Sequence, residues 1–88
     1  MTDDVRVWLV ERSYNSRDLI TLVYATPDGE RALTQERSSS MVMRGTETTA
    51  GMAVSPDRLE PVDDPDLRGR YAAEAERMAD RHDPADPV

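Results

Sequence analysis

Apolar and polar positions alternate from the start of the chain. Val5–Tyr14 (VRVWLVERSY) is rich in β-branched and aromatic residues and reads as a strand over about 5–14. Asn15-Ser16-Arg17-Asp18 is a turn cluster, and Leu19–Ala25 (LITLVYA) predicts a second strand over about 19–26. Thr26-Pro27-Asp28-Gly29 then predicts a tight hairpin. Pro presets the first turn position, and Gly supplies the positive φ at the end. The chain folds back into a more polar strand over about 30–37. Ser38 to Thr46 reads as a loop. Ala50, Met52 and Val54 alternate within a fourth strand over about 48–54, which Ser55-Pro56-Asp57 ends. Residues 58–62 run extended or as one helical turn.

The period changes after Asp64. Leu67, Tyr71, Ala75, Met78 and His82 recur at helical spacing, widened by Ala72 and Ala79. Asp64 suits the N-cap, Pro65 the first helical position, and Asp66 the positive end of the dipole. Arg77, Arg81 and His82 suit the other end. A helix over about 65–82 follows. Pro84 bars its continuation, and 84–88 reads as a flexible tail. The fold class is α+β: a three- to four-stranded antiparallel sheet, a meander with its tight hairpin at Thr26–Gly29, and one C-terminal helix on one face. Residues 1–83 make a single compact domain.

The faces of the sheet raise a question that one helix does not answer. Simple alternation puts Val5, Val7 and Leu9 on one side of the first strand and Arg6, Trp8, Val10, Arg12 and Tyr14 on the other. In the second strand both sides are apolar, although an antiparallel sheet with one wet face alternates cleanly. An apolar face without a cover marks an interface. The alternative is cover from the chain itself, by the N-terminus or by the loop at 38–46. The sequence-level candidate site is therefore Arg6, Trp8, Val10, Arg12 and Tyr14, with Trp8 as anchor and the arginines as polar rim.

Charge adds a solvent to this picture. The chain of 88 residues carries 18 acidic and 11 basic residues, for a net charge of −7. Every basic residue other than His82 is Arg, and there is no Lys. Net negative charge drives self-repulsion, which concentrated salt screens. Excess Asp without Lys fits a salt-rich cytosol. A GC-rich genome also favours Arg over Lys, but does not by itself require the charge. The acidic N-terminus without an apolar stretch, and the lack of any membrane-length run, lead us to expect a cytoplasmic protein.

Most chemistry is excluded by what is missing. With no Cys there are no disulfides, thiolate metal sites or thiol nucleophiles. With no Lys there is no Walker-type phosphate loop and no Schiff base. Asp64–Gly69 matches a calcium loop at its first, third and sixth positions. Arg68 at the fifth and Ala75 at the twelfth break the match, and a helix start explains the same residues. His82 lies near Asp80, Asp83 and Asp86, yet it is the only nitrogen ligand in the chain and suits a helix end. Ser38, Ser39 and Ser40 have no nearby base. Glu11 and Glu36 are two carboxylates among many. Met41, Met43 and Met52 suit either packing or an adaptable surface. No cofactor or metal is expected.

Two functional readings remain. The first is a non-enzymatic protein-interaction module, self-associating through a sheet face. The second is a binder of single-stranded nucleic acid, for which Arg6, Trp8, Arg12, Tyr14, Tyr24, Arg31 and Arg37 interleave guanidinium and aromatic groups. Net negative charge and salt both oppose the second reading.

Val5–Arg12 (VRVWLVER), Leu22–Arg31 (LVYATPDGER), Val54–Leu67 (VSPDRLEPVDDPDL) and Tyr71–Pro84 give the chain its overall style. In them it resembles small acidic haloarchaeal proteins forming a family of unknown function. That resemblance implies no catalytic motif and carries over no functional residue.

Overall fold

A computed structural model describes residues 3–14, 19–38 and 48–88. It shows an α+β chain with a single antiparallel sheet and one C-terminal helix. The strands are β1 (Val5–Tyr14), β2 (Leu19–Ala25), β3 (Arg31–Ser38), β4 (Gly51–Val54) and β5 (Glu60–Pro61), and the helix α1 is Pro65–Arg81. The sheet thus has five strands, not three or four, in the order β4-β1-β2-β3-β5. The extra strand comes from the stretch left open between extended and helical. A single 3-10 turn, Pro56–Arg58, lies mostly ahead of that stretch, and the stretch itself runs extended through β5.

The hairpin forms where Pro27 and Gly29 place it. Gly29 has φ +72°, and the Gly29 amide donates to the Thr26 carbonyl at 2.8 Å. Asp28 closes the turn by accepting from the Thr26 hydroxyl and from the Glu30 amide. These two bonds, the Thr26 one first, hold the Asp28 carboxyl below its ordinary pKa.

The sheet must curl. Its two outermost strands, β4 and β5, are consecutive in sequence and joined by residues 55–59. Six residue steps reach about 20 Å when fully extended. Edge to edge, a flat sheet of this many strands spans about 19 Å. A 3-10 turn rises only about 2 Å per residue, so this link does not reach across a flat sheet. β1 shows how the bend is made. Its first half, Val5–Trp8, pairs with β4, and Trp8–Tyr14 pairs with β2. A bulge between Leu9 and Glu11 sits at the changeover, and bulges sharpen twist and bend.

Curling creates two cores. The inner one holds Val7, Leu9, Ile20, Leu22, Tyr24, Leu33 and Val54, with Met52, Leu59, Met78 and Val88 packed against it. The outer one holds Val10, Val23 and Ala25 against Tyr71 and Ala75 of α1, flanked by Trp8, Ala32, Val62 and Leu67. Both strand faces are apolar because each faces a core.

The helix starts as its sequence predicts: Asp64 caps it by accepting from the Asp66 amide, with Pro65 in the first turn. Leu67, Tyr71 and Ala75 lie on the outer core, but Met78, one turn further, reaches the inner one. The helix therefore overhangs the end of the sheet.

Residues 84–88, expected as a flexible tail, are hydrogen-bonded to residues 48–51. Thr49 bridges Pro87 in antiparallel sense. The amides of Ala50 and Gly51 donate to the carbonyls of Asp86 and Pro84 at 2.8 and 2.9 Å, and the Val88 amide donates to the Thr48 carbonyl at 2.8 Å. The partner of this segment is distant in sequence, so local composition gives no sign of it.

Candidate functional site

The bulge redistributes the residues expected to share one face. Val10 is the extra residue, so Glu11 pairs with Val23 and Arg12 with Leu22. Paired residues point to the same side of a sheet. Arg6, Trp8 and Val10 therefore belong to the outer, helix-covered side. Arg12 and Tyr14 belong to the inner side, with Leu22 and Ile20. The five do not form a single surface.

Trp8 is not an exposed anchor. It is half-buried beside the outer core and lies across Gly51, its partner on β4. A Cβ on Gly51 would sit 3.1 Å from the indole ring. The aromatic ring covers a position that has no side chain of its own. Val10 is buried in the outer core, and Arg6 is exposed opposite Ala53.

Arg12 and Tyr14 gain different neighbours. Across β2 the register aligns Arg12 with Leu22 and Gln35, and Tyr14 with Ile20 and Arg37. The inner side thus continues past its apolar core into a polar end made of Arg12, Tyr14, Gln35 and Arg37. Tyr14 is 69% exposed and is the one large apolar residue exposed among the described residues. Arg37 donates to the Gln35 side-chain carbonyl, and Arg12 to the Val88 carbonyl. Neither arginine forms an ion pair with a described carboxylate.

Tyr24 lies on the same inner side, paired with Leu9 and Leu33. Its ring is buried and its hydroxyl donates to the Thr49 carbonyl at 2.9 Å. Burial pushes the phenol pKa up, while the Thr49 bond and the charges of Arg37 and Arg12 pull it back. Beside Arg12 a cleft of about 280 Å³ opens between the bulge, the second half of α1 and the tail, lined by Leu9, Glu11, Glu74, Met78 and Val88 among others.

The remaining candidates resolve into structure. Glu11 meets Arg70 at 2.6 Å on the outer side. Glu36 pairs with Thr21 rather than with Glu11, so β2 separates the two carboxylates. His82 caps the end of α1 through its amide and lies 3.8 Å from Asp86. Met52 packs on the inner core. Met41, Met43, Ser39 and Ser40 lie outside the described residues. Among the described residues no group of three or more His or acidic side chains could hold a metal ion. No described helix is long and apolar enough to cross a membrane.

A family model covers residues 1–88 and is described as a family of unknown function, DUF7967. The chain belongs to that family. No curated protein matches the chain, and no solved structure does.

The register sets Arg12 and Tyr14 beside Gln35 and Arg37, neighbours that simple alternation along β1 does not indicate. The bulge carries no glycine and breaks no hydrophobic pattern, so nothing local announced it.

Proposed function

We propose that the protein is a non-enzymatic interaction module that docks an acidic protein segment at the inner end of its sheet, on Arg12, Tyr14 and Arg37. The supporting observation is that two arginines, neither paired with a described Asp or Glu, share the inner side of the sheet beside an exposed tyrosine. Carboxylates outnumber arginines in this chain by 18 to 11. Arginines that share one side of the sheet, with no acid paired to them among the described residues, suit an acid from another molecule. Arg binds carboxylates through paired donors, and Tyr adds contact area at low entropic cost. The charge balance further leads us to place this module in a salt-rich cytoplasm, where short-range contacts outlast screened ones.

Self-association through the sheet would need a different anchor from Trp8, which packs inside the chain. A stacking platform for single-stranded nucleic acid needs successive exposed aromatics. Trp8, Tyr24 and Tyr71 are engaged in the cores, leaving Tyr14 by itself.

Titration with a hexa-aspartate peptide, followed by backbone and side-chain NMR shifts, tests the reading. Shifts should centre on Arg12, Tyr14 and Arg37 and vanish in an Arg12→Ala/Arg37→Ala variant that keeps its fold. Shifts centred elsewhere, or a response to a mixed single-stranded oligonucleotide with none to the peptide, would overturn it.

A further inference from the structure

The segment after α1 carries an inference of its own. We propose that the outer edge of residues 48–51, with Arg12 at its end, is a strand-addition groove for an acidic peptide, and that residues 84–88 are its intramolecular occupant. The proposal deepens the acidic-partner reading and rests on it for the role of Arg12.

Three features of the segment identify it as a peptide seated in a groove. The first is how it bonds. Its docking uses three main-chain hydrogen bonds: the amides of Ala50 and Gly51 donate to Asp86 and Pro84, and the Val88 amide donates to Thr48. This is the pattern by which an added strand gains affinity from its backbone and specificity from its side chains. The groove needs one donor from its occupant, at Val88, and carbonyl oxygens from positions 84 and 86.

The second feature is the position of the prolines. Pro84 and Pro87 fall where no donor is required. Pro84 supplies only its carbonyl, and Pro87 faces Thr49 in the bridge without donating. Proline is excluded from a strand wherever its missing N–H is needed. An occupant containing proline thus loses nothing here, and its restricted backbone lowers the entropy lost on docking.

The third feature is anchorage at the far end. Arg12 Nη2 donates to the Val88 carbonyl at 2.9 Å, and the Val88 side chain packs against the inner core. Val88 also lines the cleft beside the bulge. At the other end Asp86 accepts from the Asp83 amide at 2.8 Å, folding the segment back from the helix. The occupant is thus a turn over 83–86, closed by the Asp86 amide donating to the Asp83 carbonyl at 3.0 Å, followed by a short stretch that bridges Thr49 through Pro87 and packs the Val88 side chain on the core, with acidic residues at 83 and 86.

A peptide held this way is replaceable by another of the same chemistry. While the segment is in place, Arg12 is engaged by Val88. When it leaves, Arg12 and the main-chain donors of Ala50 and Gly51 become free together. An arriving acidic segment therefore competes with the chain's own tail for Arg12, and the tail sets a threshold for binding.

Hydrogen exchange on the full chain tests this. In an Asp86→Ala/Val88→Ser variant, the Ala50 and Gly51 amides should exchange about tenfold faster or more while Leu22 is unchanged. A synthetic peptide of sequence Asp83–Val88, added in excess, should restore their protection. Should the double variant fail to fold, Arg12→Ala with its tail intact provides the same readout with a smaller acceleration. Equal acceleration at Leu22 would make the segment part of the global fold and overturn the proposal. So would unchanged exchange at Ala50 and Gly51, or failure of the peptide to restore it. Failure of the acidic-partner reading looks different: these amides would respond as described while hexa-aspartate left Tyr14 and Arg37 unmoved.

Discussion

The two sides of the sheet solve the same problem with different residues. The inner core is built from large side chains: Leu9, Ile20, Leu22, Tyr24 and Leu33 fill the space that a curled sheet encloses. The outer core is built from small ones. Ala25, Ala32 and Ala75 lie between sheet and helix, with Tyr71 as the one large residue buried there. Small residues let a helix lie close to the strands; large ones are needed where the opposing wall is far away. The inner core is therefore expected to hold most of the stability. The outer core depends on how closely the helix can approach.

Truncating the inner core tests that difference most severely. Leu22 is 0% exposed, and Leu22→Ala should cost about 2–5 kcal/mol in a denaturant titration. Domains of this size hold roughly 4–13 kcal/mol in total, so much of the fold's margin would go. Both layers should lose protection together in hydrogen exchange. A loss confined to the helix would contradict the assignment of stability to the inner side.

Gly29→Ala acts on the outer side instead. Gly29 adopts a left-handed backbone, and a Cβ there would lie 2.1 Å from the Arg68 carbonyl of the helix. The backbone strain alone costs about 1–3 kcal/mol, and the clash pushes the hairpin and the helix apart. Amides of α1 should then exchange faster than those of β2. Equal acceleration in both would show that the layers do not separate.

Tyr24→Phe is the mildest of the three. It keeps the buried ring and removes the hydroxyl that satisfies the Thr49 carbonyl. The expected loss is about 0.5–1.5 kcal/mol. Tyrosine titration sharpens the point. Because the native pKa is raised, this group's contribution is whole below the ordinary value of 10.0 and declines as pH rises beyond it. The wild type should therefore lose more stability than the Phe variant above pH 10.0 in parallel alkaline denaturation curves.

Much of this was legible in the sequence because the signals are local. Thr26-Pro27-Asp28-Gly29 demanded a turn, alternation marked β1 and β2, and Asp64-Pro65 announced the helix. The two-sided apolar pattern was legible too, but its meaning was not. Whether an apolar face closes on itself depends on curvature, and curvature here follows from a link joining opposite edges of the sheet. β5 is two residues long, one of them Pro61, and leaves almost no pattern to read. The docking of 84–88 depends on a partner more than thirty residues upstream. Arg12 and Tyr14 were misplaced by a single unpaired residue, Val10, which looks like any other strand valine.

That residue gives β1 two phases. Up to Leu9 the odd-numbered positions face inward; from Arg12 onward the even-numbered ones do. A relative lacking one residue at this point would have nearly the same composition, yet would turn its counterparts of Arg12 and Tyr14 toward the helix. Aligning such a chain by letter similarity would match the arginines while their environments were exchanged. The gap, placed at Val10 or not, would separate members of the family that share the polar end from those that do not.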